Sequence, residues 1–143
     1  HITAPDAEGQ AKAIDAALTS AGIAPAELGY INAHGTATKA NDASECAAVK
    51  LALGDAAATT PMTSSKSYLG HLLGGSGAIE TLATVLMLEQ GIIPGNLNLV
   101  NPDEATSGCL VPTENQPLDR PFAMKNSFGF GGNNGVLILR RWE

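Results

Sequence analysis

Two histidines stand in matching settings. His34 lies in "NAHGTATKAND" and His71 in "SKSYLGHLLGGSGAIE"; each follows a short extended segment and enters a glycine-rich turn. An isolated histidine is ordinarily structural. A pair at strand ends is different, because loops leaving sheet strands are where α/β proteins carry their chemistry. A neutral imidazole donates one ring N–H without bringing charge. Two such donors aimed at one thioester oxygen would stabilise an enolate.

Lys66 precedes His71 in the same segment. A lysine is ordinarily solvated, yet Glu80 falls on an apolar helix pattern and needs a partner there. Lys66 is the candidate, and it would set the local field around His71. The third stretch is "NSFGFGGNNG". Gly129, Gly131 and Gly132 permit backbone closed to other residues and close approach to a ligand. A solvent-facing hairpin tip would have no use for Phe128 and Phe130.

The elements that must position these residues follow from periodicity. Glu8–Gly22 spaces Ala11, Ile14, Leu18 and Ala21 as one helix face, with Gly22 as a stop. Leu28–His34 reads as a buried strand. Asp42 is the expected cap of a second helix, "ASECAAVKLALG", and "TPMTSSK" reads as another short strand. A third helix carries its glycines at its N-terminal end. Loop follows through "IIPGNLNLVNPDE", and "PFAMKNSFGF" and "GVLILRRWE" read as two strands joined by a glycine-rich turn. This order predicts an α/β fold with helices layered on a sheet. The third helix, Ala78–Glu89, is apolar on almost every face, so burial on all sides is expected, at the centre of something larger than this chain.

The chain's 143 residues suffice for one domain. An apolar content of 44% argues against disorder, and a net charge of −6 without a basic run argues against nucleic-acid or membrane-surface binding. The apolar run "TLATVLML" is too short to span a bilayer. Cys46 and Cys109 do not make a disulfide framework, which points to a reducing, cytoplasmic setting. The first residue is His1, not methionine, as expected of a processed chain or a piece of a longer one.

The three stretches, in this order and at these separations, resemble the C-terminal half of a β-ketoacyl-[acyl-carrier-protein] synthase, most closely the type II fatty-acid elongation enzyme. The resemblance runs from "HITAPDAEG" to the last strand. It implies the thiolase-like fold, two similar halves stacked α-β-α-β-α with central helices between sheets. It implies decarboxylative Claisen condensation of a cysteine-borne acyl group with malonyl-carrier protein. His34 and His71 would bind the malonyl thioester carbonyl. Lys66 would support them, linked to Glu80. Thr36 and Thr38 would hold the phosphopantetheine arm. Phe130 would be the gate, with its N–H in an oxyanion hole and Phe128 beside it.

The resemblance further implies no metal and no intrinsic cofactor, since substrates arrive on the phosphopantetheine of acyl carrier protein. It implies a homodimer of the whole enzyme. Docking of an acidic carrier would need a local basic patch from among Lys39, Lys125, Arg120, Arg140 and Arg141. Two positions depart from the family pattern. Ala37 stands where "HGTGT" or "HGTST" is usual, a change expected to be harmless. Asn133 stands where "GGTN" has threonine, which bears on the loop's hydrogen bonding. Neither cysteine fits the family's nucleophile, which sits at a strand-to-helix turn in the N-terminal half. The expectation is therefore a chain, 1–143, whose nucleophile belongs to an N-terminal half outside this sequence, inactive alone. The alternatives are a polyketide ketosynthase and a non-catalytic partner subunit resembling a chain-length factor. The presence of His34, His71 and Lys66 argues against the second.

Overall fold

The computed structural model describes residues 2–142; His1, noted above for its place at the start, lies outside them. The first helix, α1 (Ala7–Ala21), begins where the Asp6 carboxylate accepts the Glu8 and Gly9 amides and ends at Gly22 in left-handed backbone. Strand β1 (Leu28–Asn32) is buried along its whole length. Helix α2 (Lys39–Leu53) starts at Thr38, whose hydroxyl accepts the Asn41 amide. Thr38 and not Asp42 is therefore the cap, and Asp42 adds negative charge in the first turn instead.

Strand β2 (Met62–Thr63) keeps only part of "TPMTSSK". The chain then turns into α3 (Lys66–Leu69), a single turn that periodicity did not reveal. Helix α4 (Ser76–Gln90) follows, with a small antiparallel pair, β3 (Ile92–Ile93) and β4 (Gln116–Pro117). A hairpin closes the fold: β5 (Phe122–Phe128) pairs antiparallel with β6 (Asn134–Arg140), from Phe122 opposite Arg140 to Phe128 opposite Asn134.

The main sheet has the order β2-β1-β5-β6, with β1 parallel to both neighbours. Helices α1 and α2 cover one face, where Ile14, Leu18, Val49, Leu28 and Met124 form the larger core. Helix α4 lies on the other face, where Leu88 packs with Tyr30, Ile93, Leu118 and Ala123. These are the helix-on-sheet layers expected from the element order.

Helix α4 is not buried on all sides within this chain. Only Ser76, Glu80, Thr84 and Leu88 are buried. Its apolar residues face outward, with Leu82 54% exposed and Ile79 and Leu86 exposed beside it. The helix turns a mostly polar stripe to its own sheet because that stripe meets Asn32: the Asn32 amide donates to Thr84 Oγ1 at 2.9 Å and to the Glu80 carbonyl at 3.3 Å.

Candidate active site

Parallel strands β1 and β2 deliver the two histidine loops to the C-terminal end of the strands, and the β5–β6 turn, leaving β5 at the same end, meets them there. His34 follows β1 after Ala33. Its backbone N–H donates to Glu45 Oε1 at 2.8 Å, and the Gly35 N–H donates to Glu45 Oε2 at 2.9 Å. Asn41 and Asn126 complete the cradle with side-chain donors at 3.2 and 3.1 Å. Glu45 is fully buried on α2, so this carboxylate fixes the His34 loop through backbone amides. Gly35 takes φ +45°, and a Cβ there would lie 2.4 Å from Ser64 Cβ. Only glycine lets the loop after β1 approach the loop after β2 this closely.

His71 is exposed, and its neighbours define its tautomer. The Leu73 amide donates to His71 Nδ1 at 3.1 Å. Ser76 Oγ, 3.1 Å from the same nitrogen, accepts the Leu72 amide at 2.9 Å. With Nδ1 accepting, the proton of the neutral ring is on Nε2, free to donate elsewhere.

The rings of His34 and His71 stand edge to face, centroids 5.7 Å apart, and His34 meets Phe128 at 6.1 Å. A cavity of about 1080 Å³ is lined by both histidines with Thr36, Thr38, Phe128 and Phe130. Phe128 is buried, whereas Phe130 is 72% exposed in the turn that borders the cavity. Gly131 and Gly132 adopt φ of 73° and 77° there, and Asn133 Nδ2 donates to the Phe130 carbonyl at 2.9 Å. Asn133 therefore supplies a turn-closing hydrogen bond. The Thr36 and Thr38 hydroxyls are 2.9 Å apart.

Ala37 adds a backbone feature that its side chain alone does not show. It sits at φ +58°. A non-glycine residue in left-handed backbone costs roughly 1–2 kcal/mol, so the change carries a conformational cost that glycine would avoid.

Behind the cavity lies a buried charge cluster. Lys66 Nζ is 2.6 Å from Glu80 Oε1, which bears out the pairing expected from the sequence. A second lysine shares the same carboxylate: Lys125 Nζ is 2.8 Å from Glu80 Oε2 and also donates to the Asn126 carbonyl and to Ser127 Oγ. Lys125 is 1% exposed, so it cannot belong to a surface basic patch. Its place on β5, next to "NSFGF", was its one signal in the sequence. Glu45 had none, lying mid-helix in "SECAAVK".

Burial, then the Lys66 and Lys125 ammonium groups and His71, push the His34 pKa down from 6.5 to about 4, against a smaller opposing pull from Glu80. His34 binds a proton more readily unfolded than folded, so acid favours the unfolded chain. Its effect on stability is absent above about pH 6.5 and grows as pH falls towards about 4. Urea midpoints measured down this range should fall more steeply for the wild type than for His34→Gln. Parallel curves would contradict this assignment.

Neither cysteine lines the cavity. Cys46 is buried, and Cys109 Sγ approaches its carbonyl at 3.7 Å. The neighbouring Cys109 thiol and burial raise the Cys46 pKa well above the ordinary thiol range, opposite to what a nucleophile needs.

Residues 1–100 match the family model described as beta-ketoacyl synthase, C-terminal domain. The whole chain is 46% identical to 3-oxoacyl-[acyl-carrier-protein] synthase 2 of Synechocystis sp., covering 35% of that protein. It is 42% identical to the Staphylococcus aureus (strain COL) protein of the same name, again over 100% of this chain and 35% of the relative. Among solved structures, the ishigamide ketosynthase/chain length factor superposes with a TM-score of 0.93 at 39% identity, covering 100% of this chain and 35% of that one. A beta-ketoacyl synthase from Burkholderia phymatum STM815 gives 0.92 at 36% identity, with the same coverage. The chain thus spans about a third of the length of the curated relatives it matches.

Proposed function

The chain belongs to the β-ketoacyl synthase family, and from that premise we propose that it is the decarboxylating part of a condensing enzyme of fatty acid elongation. The carrying observation is the His34–His71 pair, rings 5.7 Å apart on one cavity. Malonyl thioester enters on the phosphopantetheine arm of acyl carrier protein, with Thr36 and Thr38 along the arm. The two neutral imidazoles donate to the thioester oxygen. The bond to the carboxylate breaks, carbon dioxide leaves, and its electron pair becomes the enolate that the histidines stabilise. The enolate carbon attacks an acyl thioester, whose cysteine departs as thiolate.

That cysteine lies in an N-terminal half outside this sequence. The support is negative for both cysteines present: neither lines the cavity. The outward apolar face of α4, with Ile79, Leu82 and Leu86 exposed, and the exposed Leu72 and Leu73 just before it, fit cover by that half in a homodimeric cytoplasmic enzyme. Phe130 gates acyl transfer from the turn bordering the cavity, its N–H contributing to an oxyanion hole with Phe128 behind it. Lys66, held by Glu80, supports the histidine pair. No helix among the described residues is long and apolar enough to cross a membrane.

The test is condensation by this chain assembled with its N-terminal half, read as 3-oxoacyl-carrier protein by mass. The Cys46→Ala/Cys109→Ala double variant is expected to retain product formation. Loss confined to that folded variant would overturn the nucleophile assignment. No product from the wild-type assembly would overturn the functional reading.

A further inference from the structure

The Glu80 carboxylate is held by two ammonium groups, one on each oxygen, and all three side chains are buried: Lys66 from α3, Glu80 from α4 and Lys125 from β5. One cation would satisfy one carboxylate, and a second buried lysine pays its own desolvation. Burial indeed holds Lys125 below the usual lysine range, against the pull of Glu80. The second cation is therefore not explained by pairing alone.

We propose that Lys125 is a positioning residue for the reaction: with Lys66 it clamps Glu80 between two ammonium groups, fixing the charge pattern against which the His34 ring works as a neutral donor. This rests on the functional reading above. Three observations support it. Lys125 anchors to its own strand through the Asn126 carbonyl and Ser127 Oγ, so its position is set independently of Glu80. Asn126, the next residue, donates to Glu45, the carboxylate that carries the His34 and Gly35 amides. Both lysines act on His34 in the same sense, disfavouring its cation. The groups around His34 are then Lys66 from α3, His71 from the loop after it, Glu80 from α4, Lys125 from β5 and Glu45 from α2. The cluster thus keeps a donor from becoming a second site of positive charge.

The test uses the assembled enzyme with isotope-labelled histidine. Lys125→Met leaves Lys66 and Glu80 as a matched pair, so the fold is expected to survive; Lys125→Gln, with a polar replacement, is the second variant. The His34 titration midpoint, read by NMR, is expected to rise by about one pH unit in either variant. The acid limb of malonyl decarboxylation should move up by the same amount. A midpoint equal in wild type and variants would overturn the role of Lys125. A wild type that releases no carbon dioxide from malonyl thioester would instead overturn the functional reading, whichever way His34 titrates.

Discussion

His71→Ala in the assembled enzyme is expected to lower malonyl decarboxylation by a factor on the order of 10²–10³, the loss typical of one oxyanion-type donor. The geometry makes His71 difficult to replace. Its Nδ1 is occupied by the Leu73 amide, and Ser76 Oγ stands beside the same nitrogen. Only Nε2–H remains to face substrate. His34→Ala should cost a comparable factor, because its ring stands edge to face with His71 on the same cavity. Radiolabelled carbon dioxide release from malonyl-carrier protein measures both. An unchanged rate in a folded variant would remove that histidine from the reacting oxygen.

Glu80→Ala should produce the largest loss of stability, about 3–5 kcal/mol, as for breaking a buried ion pair from one side. The reason lies in the sharing. Glu80 is 1% exposed and faces Lys66 at 2.6 Å and Lys125 at 2.8 Å. Removing it leaves two ammonium groups buried together without their common anion, and Lys125 is already held below its ordinary range by burial. Glu80→Gln would keep the shape and lose the charge, so it separates packing from electrostatics. Urea denaturation followed by circular dichroism is the check. A midpoint for Glu80→Ala matching the wild type would mean that water or a rearranged anion compensates.

Local signals carried the fold well. The spacing of Ala11, Ile14 and Leu18 with Gly22 behind them located α1 nearly to its ends. The glycines and strand patterns around "NSFGFGGNNG" located the β5–β6 hairpin. The one-turn α3 escaped because four residues cannot show a period. The apolar face of helix α4 is exposed within this chain, as expected of a helix whose cover lies in something larger, but which of its faces meets the sheet was not legible. Its apolar surface is real, yet within this chain its polar stripe packs inward on Asn32, and periodicity does not say which side a sheet will take.

The site divides in the same way. His34, His71, Phe128 and Phe130 were legible because each stands in a distinctive local setting, and the structure places all four on one cavity. Glu80 and Lys66 were legible as a charge needing a partner. Glu45 and Lys125 were not, since their meaning arises only when α2 and β5 meet: Glu45 bonds to Asn126 across most of the chain. Ala37 shows the limit of reading side chains alone, because its cost lies in a backbone angle.

The most direct test of the account is intact mass after exposure to acyl-carrier protein, performed on this chain together with its N-terminal half. The account predicts that the acyl mass appears on the N-terminal half and that this chain stays unmodified. An acyl group found on Cys46 or Cys109 of this chain would contradict it.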